Sequence, residues 1–418
     1  MESHPQTGNT GLSKPVRFVN KSNRDPMKEA KRAVRSDDLE RLIDLVDLLL
    51  APLAEFQGLY SHEMTRRERK KSSGSEPLTL LEEAAESGAL RCLRYLLSPW
   101  QKLEDAPGGR NLLHHAVRYG HQEVIIFLVR VKDADLNLRL GHFDGCSPLG
   151  LAVQSGDINT VILLIDLGCD INVPCNGLSE PIVVFATKTG CEDDLVQFLI
   201  DKGASPTTAD ATGVTPLHYA ARFGTLAIMQ ALIRSGAVID AAANHFRSTP
   251  LCWAADAGQV DAMHLLLSSG AGVNGIPGCV YQTPLFYACN DSVDHGTPAL
   301  EVLITANANL NHVYVYPGGQ KCTILSLICR KPETPLEFIR RVVEAGAELN
   351  LGHPAPLLEA FLRASAEIFE LLLTLGAEWE KLNLEEIWSP GWSPVPLRDR
   401  KLEILEAWKV KQRSLAVN

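Results

Sequence analysis

The sequence predicts an all-α solenoid, a row of short helix pairs joined by turns, and three recurrences carry that prediction. An apolar anchor returns at Leu81, Leu113, Leu149, Val183, Leu217, Leu251, Leu285, Leu325 and Leu357, with successive spacings of 32, 36, 34, 34, 34, 34, 40 and 32 residues. Three residues after each anchor stands an alanine, at Ala84, Ala116, Ala152, Ala186, Ala220, Ala254, Ala288 and Ala360, with Ile328 as the exception. Seven residues after the anchor a glycine recurs at Gly88, Gly120, Gly156, Gly190, Gly224 and Gly258.

The segment GVTPLHYAARFG, residues 213–224, gives each recurrence its physical reason. Thr215 can satisfy a free N–H of the first helical turn, and Pro216 sits where a missing N–H costs nothing. Leu217, Ala220 and Ala221 make a narrow apolar face, and Gly224 ends the helix in a left-handed residue. A second apolar stripe follows in each unit, as at Leu163, Leu164 and Ile165 or at Leu265, Leu266 and Leu267. Each unit then closes on a turn: LGCDIN, KGASP, SGAVID, SGAGVN, AGAELN, LGAEW. One such unit cannot bury both stripes alone, so neighbours must stack.

Taken in order, residues 1–26 are rich in Ser, Asn, Gly, Pro and basic residues and read as a disordered tail. Residues 27–75 read as N-terminal capping helices and a basic loop, with two amphipathic segments in 27–50 joined at Ser36 and Asp37. The repeat array runs over 76–380 and holds about nine units. Its unit at Leu285 departs from the rest, with CNDSVDHGTP and HVYVYPGGQK placing an insertion at 286–322 that is expected in surface loops. The units at Leu325 and Leu357 have worn start signals, Ile324 in place of the proline and Ala355 in place of the threonine. Residues 381–418 read as a capping segment, in which Leu402, Ile404, Leu405 and Trp408 predict one last helix over the final stack.

Thr215, Pro216, Leu217, His218, Ala220, Ala221 and Gly224 match the T-P-L-H-x-A-A-x-x-G signature in full, and on it the chain resembles the ankyrin repeat family. The resemblance spans roughly residues 76–380. It implies paired helices followed by a projecting β-hairpin turn, and a concave face of hairpin tips and helix ends that binds other proteins. Carried over position by position, it implies partner-binding roles for Arg118, Tyr119, Phe143, Asp144, Arg222, Phe223, His245 and Phe246. Packing of the aromatic tips against the next hairpin is the alternative.

Composition narrows the function. At 418 residues the chain exceeds one ordinary core, and its hydrophobic share of 45% fits a folded array. No apolar run approaches the roughly 18–20 residues of a membrane helix, and the N-terminus lacks a secretory apolar core. Ten cysteines without a C-x-x-C pair read as reduced thiols, so a cytoplasmic setting is expected. Residues 1–75 carry 14 Lys/Arg against 11 Asp/Glu, a net of +3, which leaves −13 of the total −10 on the remainder. Such an acidic body would repel phosphate backbones, so nucleic acid is not expected as a partner.

Candidate chemistry is sparse. His114, His115 and His121 form the densest histidine group, but His115 and His121 lack the spacing of a helical ligand pair and no cysteine or carboxylate completes a set. A structural role is expected for them and for His218, with no metal and no cofactor. No phosphate loop, nucleophile elbow or H-E-x-x-H motif occurs. The basic run of Arg66, Arg67, Arg69, Lys70 and Lys71, with Ser72, Ser73 and Ser75 beside it, reads as a solvated loop or as a nuclear import signal. The expected function is a monomeric scaffold or adaptor that binds one or more proteins and is not an enzyme. The alternatives are a catalytic or accessory site at the 286–322 insertion, or a nuclear regulator using the basic run.

Overall fold

Every anchor of the recurrence lies in the first helix of a pair. The computed structural model describes residues 26–49, 79–106, 109–243, 247–277, 283–290, 293–315, 321–352, 354–382 and 398–416. The chain forms two compact units, Met1–Ala134 and Asp135–Asn418. Each is an all-α stack of helix pairs, the arrangement that two apolar stripes per unit demand.

The first unit holds α1 (Pro26–Arg35) with α2 (Leu39–Leu49), α3 (Leu80–Ser87) with α4 (Leu90–Leu96), and α5 (Leu112–Arg118) with α6 (Gln122–Lys132). Leu81, Ala84, Ala85, Leu113, Ala116 and Val117 are buried between neighbouring first helices. Asp37, left-handed at φ 49°, accepts the backbone N–H of Cys92 at 3.0 Å, and Arg35 pairs with Glu83, which ties the first pair to the second. Thr79 and Glu82 form a reciprocal capping box at the start of α3. Lys132 donates to the carbonyls of Leu97 (2.9 Å) and Trp100 (2.5 Å), satisfying acceptors beyond the end of α4.

The second unit continues with α7 (Pro148–Ser155) and α8 (Ile158–Asp166), α9 (Ile182–Lys188) and α10 (Asp193–Asp201), and α11 (Pro216–Phe223) and α12 (Leu226–Arg234). It goes on with α13 (Pro250–Asp256) and α14 (Val260–Ser268), and with α15 (Pro284–Asn290) and α16 (Val293–Thr305). Then come α17 (Ile324–Ile328) and α18 (Leu336–Glu344), α19 (Pro356–Arg363) and α20 (Ala366–Thr374), and last α21 (Arg398–Ala416). Leu217, Ala220 and Ala221 are all fully buried, as are Leu251 and Ala254 on the next first helix. Strand pairing is sparse among the described residues: β1 (Tyr314–Val315) pairs antiparallel with β2 (Lys321–Cys322), and Ala243 bridges Ser248.

A ladder of side chains runs along the turns of this unit. Asn137, Asn172, Asp240, Asn274, Asn311 and Asn350 accept, in turn, the backbone N–H of Asp170, Ser205, Gly272, Asn309, Glu348 and Glu378, at 2.8–3.3 Å. Each rung joins one closing turn to the next and fixes the register of the stack. Two departures from the sequence pattern have visible causes. Gly150 stands where His218 stands in the full signature, because the Cys175 carbonyl comes so close that a Cβ would meet it at 2.2 Å. Thr323 still caps α17 by accepting from Ser326 N–H at 3.4 Å, so the helix begins without its proline.

The 286–322 insertion is not all loop, as the sequence suggested. Val293–Thr305 is helical with Pro298 inside it, so much of the extra length extends a second helix. Tyr314, buried, places its hydroxyl 2.7 Å from Thr283 Oγ1 and so ties the β1–β2 hairpin to the start of the same unit. At the far end α21 packs on α20, with Leu405 buried and Leu402, Ile404 and Trp408 partly so. The basic run at 66–71, the serines beside it, and Trp388 and Trp392 lie outside the described residues.

Candidate partner-binding face

His218 organises the best-formed repeat. Thr215 N–H donates to its Nδ1 at 3.1 Å, so the ring proton sits on Nε2 and donates to the Ser248 carbonyl of the next unit at 3.1 Å. Burial lowers the pKa of this ring to about 4, which keeps it neutral. Its edge meets Trp253, with ring centroids 5.3 Å apart. A structural imidazole thus seats an aromatic ring on the adjoining first helix.

That ring belongs to a row. Two residues after the anchors of four successive units stand Phe185, Tyr219, Trp253 and Tyr287, spaced by 34 residues each time. Phe185 is buried, whereas Tyr219, Trp253 and Tyr287 are partly exposed. Tyr219 and Trp253 meet edge to face at 5.4 Å, and Phe223, 49% exposed, lies 6.4 Å from Tyr219 in a stacked arrangement. Residues 219, 222 and 223 share one face of α11 because they are three and four apart. Arg222 lies over Trp253 at 5.8 Å and reaches Asp256 at 3.5 Å. Trp253 Nε1–H donates to Ser248 Oγ at 3.1 Å, which fixes the indole.

Beside the row, Lys188 Nζ donates to Glu180 at 2.7 Å, and that contact raises the lysine's pKa. Glu180 is buried and held in turn by Asn176, whose Nδ2 donates to it at 2.7 Å. The sequence assigned no role to Tyr219, Trp253 or Tyr287. The signal was the 34-residue recurrence of an aromatic at one offset from the anchor.

The positions expected to bind a partner fare differently. Arg222 and Phe223 are exposed and join the aromatic row. In the first unit Arg118 and Tyr119 are exposed at the end of α5, and a hydrogen bond to Glu86 raises the pKa of Tyr119. Phe143 is a correction: it is 6% exposed, so its ring packs inward and offers no anchor to a partner. Its loop is braced by Arg139, which donates to the carbonyls of Gly145 (3.2 Å) and Asn176 (2.6 Å). Asp144 is exposed and left-handed at φ 54°, with its carbonyl accepting from Gly177 N–H at 2.8 Å. His245 and Phe246 lie outside the described residues.

The histidine group is wired into the first unit. His114 is fully buried, and burial lowers the pKa of His115, whose Nδ1 lies 3.9 Å from Glu86. The His121 ring contacts the Glu86 carbonyl at 2.7 Å and lies over Gly88, where a Cβ would meet it at 2.6 Å. Among the described residues no group of three His, Cys, Asp or Glu is gathered as a metal set, and no helix is long and apolar enough to cross a membrane. Eight of the nine described cysteines are buried and Cys191 is partly exposed. Burial pushes the thiols of Cys92, Cys169 and Cys289 up to about 12 and raises those of Cys175, Cys322 and Cys329 as well.

Residues 81–175 and 183–276 match the pattern of ankyrin repeats in three copies. A fowlpox virus protein (strain NVSL), whose name describes it as an ankyrin repeat protein, is 30% identical over 132 residues, which span 30% of this chain and 84% of the viral one. The chain belongs to the ankyrin repeat family. The human transient receptor potential cation channel subfamily A member 1 is 30% identical over 129 residues, 31% of this ankyrin chain and 11% of the channel. The crystal structure of the ankyrin repeat domain of Bcl-3 covers 55% of this chain and 99% of its own at 25% identity, with a TM-score of 0.46. Beyond the viral protein, the chain spans small parts of the curated relatives it matches, such as 11% of the channel and 25% of a zebrafish palmitoyltransferase. Ankyrin repeats are protein-binding modules, and this chain carries that module.

Proposed function

We propose that this ankyrin protein is a non-catalytic scaffold or adaptor that holds a protein partner on the face formed by Tyr219, Arg222, Phe223 and Trp253. The carrying observation is Phe223, a large aromatic left 49% exposed beside two ordered rings and an arginine. Aromatic and arginine side chains clustered at one spot supply most of the energy of typical interfaces. Burial raises the pKa of Cys92, Cys169, Cys175, Cys289, Cys322 and Cys329, which disfavours each of them as a nucleophile.

The test is cross-linking from an unnatural photoreactive residue at Thr189 or Ala257, which flank the row, followed by quantitative capture with variants. Phe223→Ala and Arg222→Ala should each weaken capture of the cross-linked partner by about tenfold, while the melting temperature stays within a few degrees of the parent. Capture that persists in both variants, or that fails only when the fold fails, rejects this face.

A further inference from the structure

Several ion pairs of this chain match one guanidinium to one carboxylate, as in Arg35 with Glu83, Arg222 with Asp256 and Arg341 with Glu301. Glu359 meets two. Its Oε2 lies 3.2 Å from Nε of Arg363 and 3.7 Å from Nε of Arg330. Two guanidinium charges against one carboxylate leave +1 at this spot.

Burial makes the cluster rigid. Only 5% of the Glu359 side chain is exposed, whereas the side chains of Arg330 and Arg363 are 33% and 49% exposed. A carboxylate taken out of water depends on its cations, so Glu359 holds both arginines in place. A guanidinium carries five N–H donors, four of them on its terminal nitrogens. Both arginines turn Nε toward Glu359, and among the described residues no ion pair or hydrogen bond occupies their terminal nitrogens.

The position of the cluster suits recognition. Arg330 follows α17 and Arg363 ends α19, first helices of successive units that pack together. Arg330 stands five residues after Leu325 and Arg363 six after Leu357, the offsets of Arg222 and Phe223 from Leu217. The excess positive charge therefore sits at the ends of first helices, in a part of the chain whose net charge is negative. Forked N–H donors match the paired oxygens of a carboxylate or a phosphoryl group.

We propose that Arg330 and Arg363, braced by Glu359, form an oxyanion site that takes one acidic or phosphorylated side chain of a partner protein through their terminal nitrogens. The site stands apart from Phe223 and the aromatic row, and its loss would leave the function proposed for that face untouched.

The test is arginine labelling of the full chain with phenylglyoxal, read residue by residue by mass spectrometry at constant ionic strength. The probes are the N-acetyl amides of phosphoserine, glutamate and glutamine. Two charge-assisted hydrogen bonds correspond to roughly millimolar affinity, so about 10 mM of the phosphoserine or glutamate amide should slow labelling of Arg330 and Arg363 at least threefold. The glutamine amide should have no effect, and Arg400, exposed and paired with Glu403, should label at one rate throughout. In Arg330→Gln, with its fold checked by a thermal melt, the protection of Arg363 should disappear.

Protection by the phosphoserine amide alone would make the bound group phosphoryl, and protection by the glutamate amide would make it a carboxylate; either supports the site. Cations at helix C-termini are stabilising in their own right. Arginines that serve only that end would label at unchanged rates with every amide, and that result overturns the proposal. Equal slowing of Arg400, or protection of Arg363 that survives Arg330→Gln, overturns it too.

Discussion

Leu217 and Thr215, two residues apart, are expected to differ in worth. Leu217 is fully buried where α11 meets its neighbours, so Leu217→Ala should cost about 2–5 kcal/mol through the cavity it leaves. Thr215→Ala should cost about 1 kcal/mol, since Thr215 N–H still reaches His218 Nδ1 when the hydroxyl is gone. Urea melts that ranked the two the other way would reject this placement of the inner face. His218 makes a further prediction with a definite sign. Its folded pKa is about 4, whereas an unfolded histidine titrates near 6.5. Between those values the unfolded chain binds the extra proton, so stability should fall as the pH drops from about 6.5 to about 4 and then level off. Melts across that range should show a shallower loss for His218→Gln than for the parent; parallel losses would mean that this imidazole does not titrate on unfolding.

At the scale of the element, lysines reach the first helix in two units that lack the recurrent glycine. The positions seven residues after Leu285, Leu325 and Leu357 hold Ser292, Pro332 and Ala364 in place of the recurrent glycine. In the units of Leu285 and Leu357 a lysine from further along the chain reaches back to the first helix: Lys331, just beyond α17, donates to the Cys289 carbonyl at 2.9 Å, and Lys401, on α21, to the Phe361 carbonyl at 2.8 Å. A cation at a helix C-terminus satisfies a free acceptor and opposes the helix dipole. Lys401, on α21, is fully buried, and that burial lowers its pKa to about 8. An unfolded lysine keeps its proton until about 10.4, so between the two values the unfolded state holds more protons and stability should rise with pH. The difference between parent and Lys401→Met should therefore carry a positive slope from about pH 8 to 10. A flat difference would mean that Lys401 is not buried in the folded chain.

The same scale shows what the sequence can say. The helix starts at Pro148, Pro216, Pro250, Pro284 and Pro356 are legible because each proline sits at the first helical position. The ladder residues Asn172, Asp240, Asn274 and Asn350 occupy the last letter of their closing turns, but which N–H each side chain meets depends on stacking and is not written locally. Phe143 illustrates the limit most plainly. An aromatic in a polar loop reads as exposed, whereas Phe143 is buried in a loop tied by Arg139 to the Asn176 carbonyl 37 residues on. The aromatic row was legible in spacing alone, yet aromatics inside an apolar stripe are assigned to the core by default. Their partial exposure requires the packed neighbours to be seen.

For the whole molecule, the thiols described above supply a set of local clocks. Cysteines are distributed along the array: Cys92 in one unit, and Cys146, Cys169, Cys175, Cys191, Cys252, Cys289, Cys322 and Cys329 through the other. A thiol that is buried and holds its proton cannot be alkylated until the surrounding repeat opens, so its labelling rate measures that opening. Stacked repeats interact mainly with their neighbours, which lets adjacent parts of one chain open at different free energies. Pulsed alkylation read by mass spectrometry should thus give a spread of rates, with Cys191 fastest because it is already partly exposed. Leu217→Ala should quicken Cys252, on the helix packed against the cavity, far more than Cys92 in the first unit. One common rate for every buried thiol would mean that the chain opens all at once, whereas a graded series would let an oxidant or alkylating agent record which repeat a bound partner has closed.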